Sequence, residues 1–243
     1  FKPERVPPNL DVIVIGSGPS GLSSAFLLAK AGKKVLVLEQ HDTAGGSLHT
    51  FVDHGYEFDS GHHISIDVGE NSLAGLCLKV LLDGKVEFSQ SSTFYPVGGT
   101  SKMVYHASKN VRDAGAEILV RAKVVKIITQ GERAIGVTVQ KGSTTTDVFA
   151  PIIISSAEWY REAKPFMNKP TGYYQLFVGL NKTAEELELP WQPIRCFATN
   201  KECGEVFNDY LSLSLEEALE VDIPLLIFNF GSAKDSTFNQ RHP

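Results

Sequence analysis

Residues 11–39 carry the pattern that most constrains how this chain can fold. Two apolar runs, 12–15 and 35–38, flank a glycine-rich turn and an alanine- and leucine-rich stretch, and an acid, Glu39, follows the second run. The glycines are spaced G-x-G-x-x-G, and in the order strand, turn, helix, strand this spacing is typical of a dinucleotide-binding βαβ unit. We therefore predict a βαβ unit over 11–39, with Gly32 ending its helix.

Each glycine of the motif has a separate expected task. Gly16 permits the tight turn off the strand, Gly18 lets backbone approach a pyrophosphate, and Gly21 lets the helix lie close to the sheet. Glu39 is placed to accept hydrogen bonds from a ribose diol. Because no Arg or Lys follows it, a 2′-phosphate would meet an acid, which argues against NADP at this position. The alternative, a plain glycine turn in an ordinary βαβ unit, leaves Glu39 unexplained.

The composition argues against several classes of protein. The 243 residues have a net charge of −5, from 28 acids and 23 bases, which gives no support for nucleic-acid binding. No apolar run has the length of a transmembrane helix, and no signal peptide is visible. Because the chain begins with Phe1 rather than Met, we expect a preceding segment. The three cysteines are too few for a disulfide framework and are interpreted as reduced, small apolar residues.

Hydrophobic periodicity and turn residues predict the remaining elements. Helices are expected over 72–82 and from a cap at Thr100 or Ser101 to Gly115. Strands are expected over 118–120, 124–129, 134–140, 145–150 and, as a buried parallel strand, 152–154. After a linker at 165–172, further strands are expected over 173–180, 194–199 and 224–230, with helices capped by Thr183 with Glu186 and by Ser214 with Glu217. This order predicts an α/β fold: a parallel sheet with helices plus a small antiparallel sheet, followed by a second antiparallel sheet with helices.

Several stretches resemble a known group of flavoproteins. The doublet of Gly45 and Gly46, shortly after Glu39, resembles that of two-dinucleotide-fold flavoproteins such as amine oxidases and phytoene desaturases, where it lets a loop pass close to a pyrophosphate. More narrowly, similarity to the retinol saturase (all-trans-retinol 13,14-reductase) family of phytoene desaturase-like flavoproteins is carried by the stretches 35–41, 44–51, 57–63, 94–99, 223–226 and 232–235. The resemblance covers almost the whole chain.

The resemblance also implies a domain organisation. We expect a discontinuous Rossmann-like FAD-binding domain over 1–66 and 94–164, a shortened connection over 67–93, and a partial α+β substrate domain over 165–243. In the family a long helical stretch separates the two segments that nearly abut here at 90–92, and the family continues past the end of this chain. We therefore expect a fragment or a shortened form, whose activity is left open.

By the same resemblance, the cofactor is FAD and the reaction reduces the 13,14 double bond of all-trans-retinol, an apolar polyene, to all-trans-13,14-dihydroretinol. NAD(P)H is a candidate electron donor, and the expected location is the endoplasmic reticulum membrane, by peripheral association. The ADP half would lie on the first motif and Glu39, the doublet would follow the pyrophosphate, the backbone of Val124 would face the adenine, and Gly61 would lie near the flavin. The implied cofactor-binding residues are Gly16, Ser17, Gly18, Ser20, Gly21, Glu39, Gln40, Gly45, Gly46, Ser47, Gly61, His62 and Val124.

Other functions are open at this stage. A carotenoid desaturase or isomerase shares these motifs, which do not set the direction of hydride transfer. An inactive shortened product is a second alternative, and a non-enzymatic escort protein of prenylated GTPases, which uses a similar first fold without FAD, is a third. Glu39 together with the glycine doublet favours FAD binding over the escort protein.

Five histidines lie between 41 and 63, but their irregular spacing argues against a metal site. For His62, packing is favoured over proton donation, and no catalytic side chain is assigned.

Overall fold

A computed structural model describes residues 1–61, 72–90, 94–157, 175–197, 209–210, 212–223 and 225–241. The chain divides into two compact units, Phe1–Glu158 and Trp159–Pro243. In chain order the elements of the first unit are β1 (Val12–Ile15), α1 (Pro19–Lys30), β2 (Val35–Leu38), β3 (Thr50–Asp53), β4 (Tyr56–Asp59), α2 (Leu73–Leu82), β5 (Phe88–Gln90), β6 (Phe94–Pro96), α3 (Gly99–Asp113), β7 (Glu117–Leu119), β8 (Lys123–Gln130), β9 (Arg133–Lys141), β10 (Thr144–Phe149) and β11 (Ile152–Ser155). Short 3-10 helices cover Pro3–Arg5 and Gly46–Leu48.

The first unit has three layers built around a parallel sheet of strand order β11-β1-β2-β7. Because side chains alternate along a strand, β1 presents Val12 and Val14 to one face and Ile13 and Ile15 to the other. The first face packs against α1 and α3. The second packs against an antiparallel sheet of order β10-β9-β8. The predicted α/β fold with a small antiparallel sheet is therefore confirmed.

Local sequence signals set most of these elements within a residue or two. The βαβ unit, the helix at 72–82 and the strands between 117 and 155 all form where they are predicted. In α3 the expected apolar stripe is buried, including Met103, Ala107 and Val111, and Gly115 follows the helix with a φ of +96°. Buried Asn110 donates from Nδ2 to the carbonyl oxygen of Leu81, at 2.8 Å, and so ties α3 to α2.

Several predictions in the first unit are wrong. The cap of α3 is Gly98, in the left-handed conformation, rather than Thr100 or Ser101, because the Thr100 hydroxyl donates to Asp59 instead. Ile152 is 46% exposed because β11 forms an edge of the sheet in the described part of the chain. Residues 94–96, for which no strand is predicted, pair as β6 with β5. The thiol-bearing residue Cys77 is exposed rather than packed as an apolar residue.

The second unit contains β12 (Ile194–Phe197), α4 (Leu215–Leu219), β13 (Leu225–Phe228), α5 (Gly231–Lys234) and α6 (Phe238–Arg241). The two strands pair antiparallel, and Ser214 with Glu217 forms the predicted capping box of α4. Thr183 and Glu186 make both reciprocal bonds of such a box, but only turns follow over 184–188. Residues 175–180 form no strand, and the predicted linker at 165–172 lies outside the described residues.

Within the part of the chain that the structure describes, no helix combines the length and the apolar character needed to cross a bilayer.

Candidate dinucleotide-binding site

The turn between β1 and α1 is shaped by close backbone packing. Gly16 has a φ of +92°, and its N–H donates to the carbonyl oxygen of Leu38 at 2.8 Å, which ties the turn to the end of β2. A Cβ added at Gly21 would lie 2.1 Å from the carbonyl oxygen of Gly16. Gly16 and Gly21 are therefore required by the fold itself, as the motif predicts.

Gly18 needs a different explanation. Its φ is −63°, a value that any L-residue adopts, and among the described atoms none lies within 4 Å of a Cβ added there. Gly18 is also the N-cap of α1, and no side-chain hydrogen bond caps this helix in the described structure. The positive end of the helix dipole thus faces a space that a side chain at position 18 would partly fill, which fits the close approach of a phosphate.

Glu39 closes the site at the carboxyl end of β2. Its side chain is 5% exposed and faces the glycine turn. Oε2 accepts hydrogen bonds from the N–H and the hydroxyl of Ser17, at 3.0 and 2.6 Å. Oε1 accepts from the N–H of His41 at 2.9 Å and lies 2.8 Å from His41 Nδ1, which must carry its proton to donate to a carboxylate.

The charged form of Glu39 is favoured despite its burial. Burial by itself raises the pKa of a carboxyl, but the hydrogen bonds from His41 and Ser17 together outweigh it and hold the pKa of Glu39 below its ordinary value. The site therefore presents a fixed negative charge at neutral pH. Such a charge suits ribose hydroxyls, which donate hydrogen bonds, and repels a 2′-phosphate.

The glycine doublet joins a second loop to the first. The N–H of Gly45 lies 3.1 Å from both the carbonyl oxygen and the hydroxyl oxygen of Ser17. A Cβ at Gly45 would lie 2.6 Å from Val104 on α3, and a Cβ at Gly46 would lie 2.8 Å from the Cα of Gly18. Both glycines also have positive φ. The doublet therefore lets its own loop pack closely against the glycine turn after β1. This packing is a reason for the two glycines that does not depend on a ligand.

The remaining residues of the predicted site are spread over several elements. Gly61 packs on the second loop, since a Cβ there would lie 2.6 Å from the carbonyl oxygen of Ser47. Ser20 in the first turn of α1 and Gln40 after Glu39 are both exposed. Val124 lies at the start of β8, two residues after Ala122, whose N–H donates to the Glu39 carbonyl oxygen at 2.7 Å. His62 lies outside the described residues. The ligand-binding roles of all these residues stay predictions.

Sequence reasoning missed Ser156, which follows β11. Its hydroxyl donates to the carbonyl oxygens of Ile15 and Gly16, at 3.0 and 3.2 Å, and lies 2.7 Å from the position of a Cβ on Gly21. The signal for it was present: ligands of open α/β sheets bind beyond the carboxyl ends of the strands, and Ser156 follows the strand that neighbours β1.

Two other features of the structure do not add to the site. The described residues contain no group of three or more His, Cys, Asp or Glu side chains placed to hold a metal ion. An open cleft of about 630 Å³ lies between the residues before β1 and the sheet of β9 and β10, and its lining residues include none of those predicted to bind the cofactor.

Comparison with known proteins agrees with this geometry. Residues 14–77 match the NAD(P)-binding Rossmann-like domain family. Over all of its length the chain is 26% identical to an all-trans-retinol 13,14-reductase from Danio rerio, in an alignment that covers 65% of that protein. The chain resembles the all-trans-retinol 13,14-reductases. It is also 24% identical, over the same share of each chain, to an inactive all-trans-retinol 13,14-reductase of Danio rerio.

The alignments with the retinol reductases cover all of this chain but only part of each relative. The chain spans about two thirds of the length of these relatives, 65% in both cases. The first alignment runs over 399 positions although this chain has 243 residues, so the relative carries internal sequence that this chain lacks.

Among solved structures, the PF1083 protein of Pyrococcus furiosus superposes on this chain with a TM-score of 0.54 at 15% identity. The superposition covers 66% of this chain and 63% of that one, and it supports the fold.

Proposed function

We propose that this chain binds FAD through the adenosine diphosphate half of the cofactor and that it is the cofactor-binding part of an oxidoreductase. The observation that carries the proposal concerns Gly18. No contact among the described residues requires a glycine at this position. A glycine is explained here if a ligand lies against the backbone at position 18, in the space that a side chain would fill. A pyrophosphate at the start of α1 is such a ligand. Its adjoining ribose would then lie towards Glu39.

The charge at Glu39 supports FAD over NADP at this position. The carboxylate is buried and kept ionised by its donors. FAD carries an adenosine ribose with both hydroxyls free, whereas NADP carries a 2′-phosphate there. When bound, FAD supplies hydride transfer, while the residues described here bind and orient its nucleotide end. No side chain of this chain is assigned to the transfer itself.

For the substrate, we propose an apolar polyene alcohol such as all-trans-retinol, reduced at its 13,14 double bond with NAD(P)H as the electron donor. The support is the similarity to the all-trans-retinol 13,14-reductase of Danio rerio along the whole chain. An inactive, flavin-binding form is the second candidate, favoured by the similar sequence identity to a relative named as inactive.

On the resemblance alone we also propose peripheral association with the endoplasmic reticulum membrane. Sedimentation of the protein with liposomes would test this proposal.

Flavin binding is tested first, on the purified full chain. We expect an absorption band of bound flavin, or saturable quenching of FAD fluorescence when FAD is added. A colourless protein that takes up no FAD would contradict the proposal. Incubation with all-trans-retinol and a reductant, followed by chromatography, then separates the two candidates: dihydroretinol indicates a reductase, and bound flavin without product indicates the inactive form.

A further inference from the structure

All the acceptor positions of the Glu39 carboxylate are already in use within the protein. An ionised carboxylate offers about four lone-pair sites. Ser17 occupies two of them and His41 the other two, at distances from 2.6 to 3.0 Å. A ribose diol that binds Glu39 must therefore displace at least one of these donors.

The four donors differ in how easily they can leave. Two are backbone N–H groups, and the His41 backbone is held in addition by the Arg121 N–H, which donates to the His41 carbonyl oxygen at 2.7 Å. The Ser17 hydroxyl is fully buried and also accepts from the N–H of Gly45. The His41 ring is different, because its side chain is 66% exposed and can rotate into solvent without opening the core.

We propose that the His41 imidazole competes with the ribose hydroxyls for Glu39 and so sets the affinity of the site for ribose-containing nucleotides. In the free protein the ring satisfies Oε1 of Glu39. When the nucleotide binds, the ring turns outward and a ribose hydroxyl takes its place. The affinity is thereby lowered by the free energy of the His41–Glu39 contact. This inference rests on the proposed nucleotide binding at Glu39.

The test compares ligands with and without ribose hydroxyls. ADP and 2′,3′-dideoxy-ADP are titrated by calorimetry into the flavin-free full chain and into its His41→Ala and His41→Phe variants. Because one partner of the contact, the His41 ring, is largely exposed, its loss should have a modest effect, and both variants should bind ADP about two- to fivefold more tightly than the parent. Binding of 2′,3′-dideoxy-ADP should be unchanged. His41→Phe keeps a ring of similar size without a donor, which separates the hydrogen bond from steric effects.

His54→Ala is the matched control, since His54 is a 90% exposed histidine on the β3–β4 turn with Asp53 as its partner. It should leave the affinities for both ligands at the parent values, and thermal unfolding should confirm that all variants are folded. Unchanged or weaker ADP binding in His41→Ala, with binding in the parent, would overturn the His41 inference alone. Equal tightening for both ligands would also overturn it. A parent that binds neither ADP nor FAD would refute the proposed function and this inference with it.

Discussion

The N–H and the hydroxyl of Ser17 both donate to the same oxygen, Oε2, of Glu39, and this pair joins the glycine turn to the end of β2 in addition to the Gly16–Leu38 backbone hydrogen bond. Ser17 is the residue between the first two glycines of the motif, and it is fully buried. The same hydroxyl accepts from Gly45. A single serine thus connects the turn, the acid and the glycine doublet.

Glu39→Gln should destabilise the fold as well as weaken nucleotide binding. The amide nitrogen of Gln would face an N–H group of Ser17 or His41, and a buried donor would lose its partner. We expect a loss of about 1–3 kcal/mol in the free energy of unfolding at pH 7, measured by urea denaturation. Glu132→Gln, at an exposed position before β9, is the control and should stay within about 0.5 kcal/mol of the parent. Equal stabilities of the two variants would contradict the role of Glu39.

The stabilisation by Glu39 should depend on pH. Its folded-state pKa lies below the ordinary value of 4.5, so between these two values the unfolded chain binds a proton that the folded chain does not. The contribution is therefore complete above pH 4.5 and is lost as the pH falls through the lowered pKa. The difference in free energy of unfolding between the parent and Glu39→Gln should shrink over that range. A difference that stays constant from pH 7 to acid pH would contradict the lowered pKa.

Alanine at Gly21 should lower the stability of the fold, whereas alanine at Gly18 should lower the affinity for FAD. Gly21→Ala places a Cβ against the Gly16 carbonyl oxygen and should cost about 3 kcal/mol or more of stability. Gly18→Ala meets no described atom and should change the free energy of unfolding by no more than about 1 kcal/mol, the size of a weakened helix cap. It should nevertheless reduce FAD affinity by about tenfold or more, and Gly18→Val should abolish FAD uptake. Equal flavin content in Gly18→Val and the parent would exclude a phosphate at this turn.

Asp59 connects β4 to α3 and β6 through two side-chain donors. Its carboxylate accepts from the Thr100 hydroxyl at 2.6 Å and from the Tyr95 hydroxyl at 2.8 Å. Thr100→Val keeps the shape of the side chain but removes the donor, and should cost about 1–3 kcal/mol of unfolding free energy. Thr100→Ser retains the hydroxyl and should cost clearly less. If the two variants were equally stable, the hydrogen bond to Asp59 would not be a stabilising contact.

The first βαβ unit could be predicted because its signals are local. The glycine spacing, the apolar runs and Gly32 lie within the unit itself, close in sequence to the elements that they specify. Glu39 could likewise be identified as the residue that closes the site. What the sequence could not reveal is that its carboxylate is already saturated by Ser17 and His41, because that depends on the distances between side chains.

Long-range competition explains the failures. Thr100 has a side chain that often caps helices, but its hydroxyl donates to Asp59, 41 positions earlier. The N-cap of α3 is therefore Gly98. The run at 152–154 is apolar enough for a central strand, yet it lies at an edge of the described sheet, a property of topology and not of composition. Ser156 was missed because its partners become neighbours only when β11 lies beside β1.

The hydrogen bonds from Ser156 have a consequence for how the protein is made. Ile15 and Ser156 are 141 positions apart, so the ribosome must complete most of the first unit before the turn after β1 receives its last support. A nascent chain that ends before β11 contains every glycine of the motif but lacks this support. Translation must therefore pass β11 before the turn after β1 can make all the contacts of the finished unit.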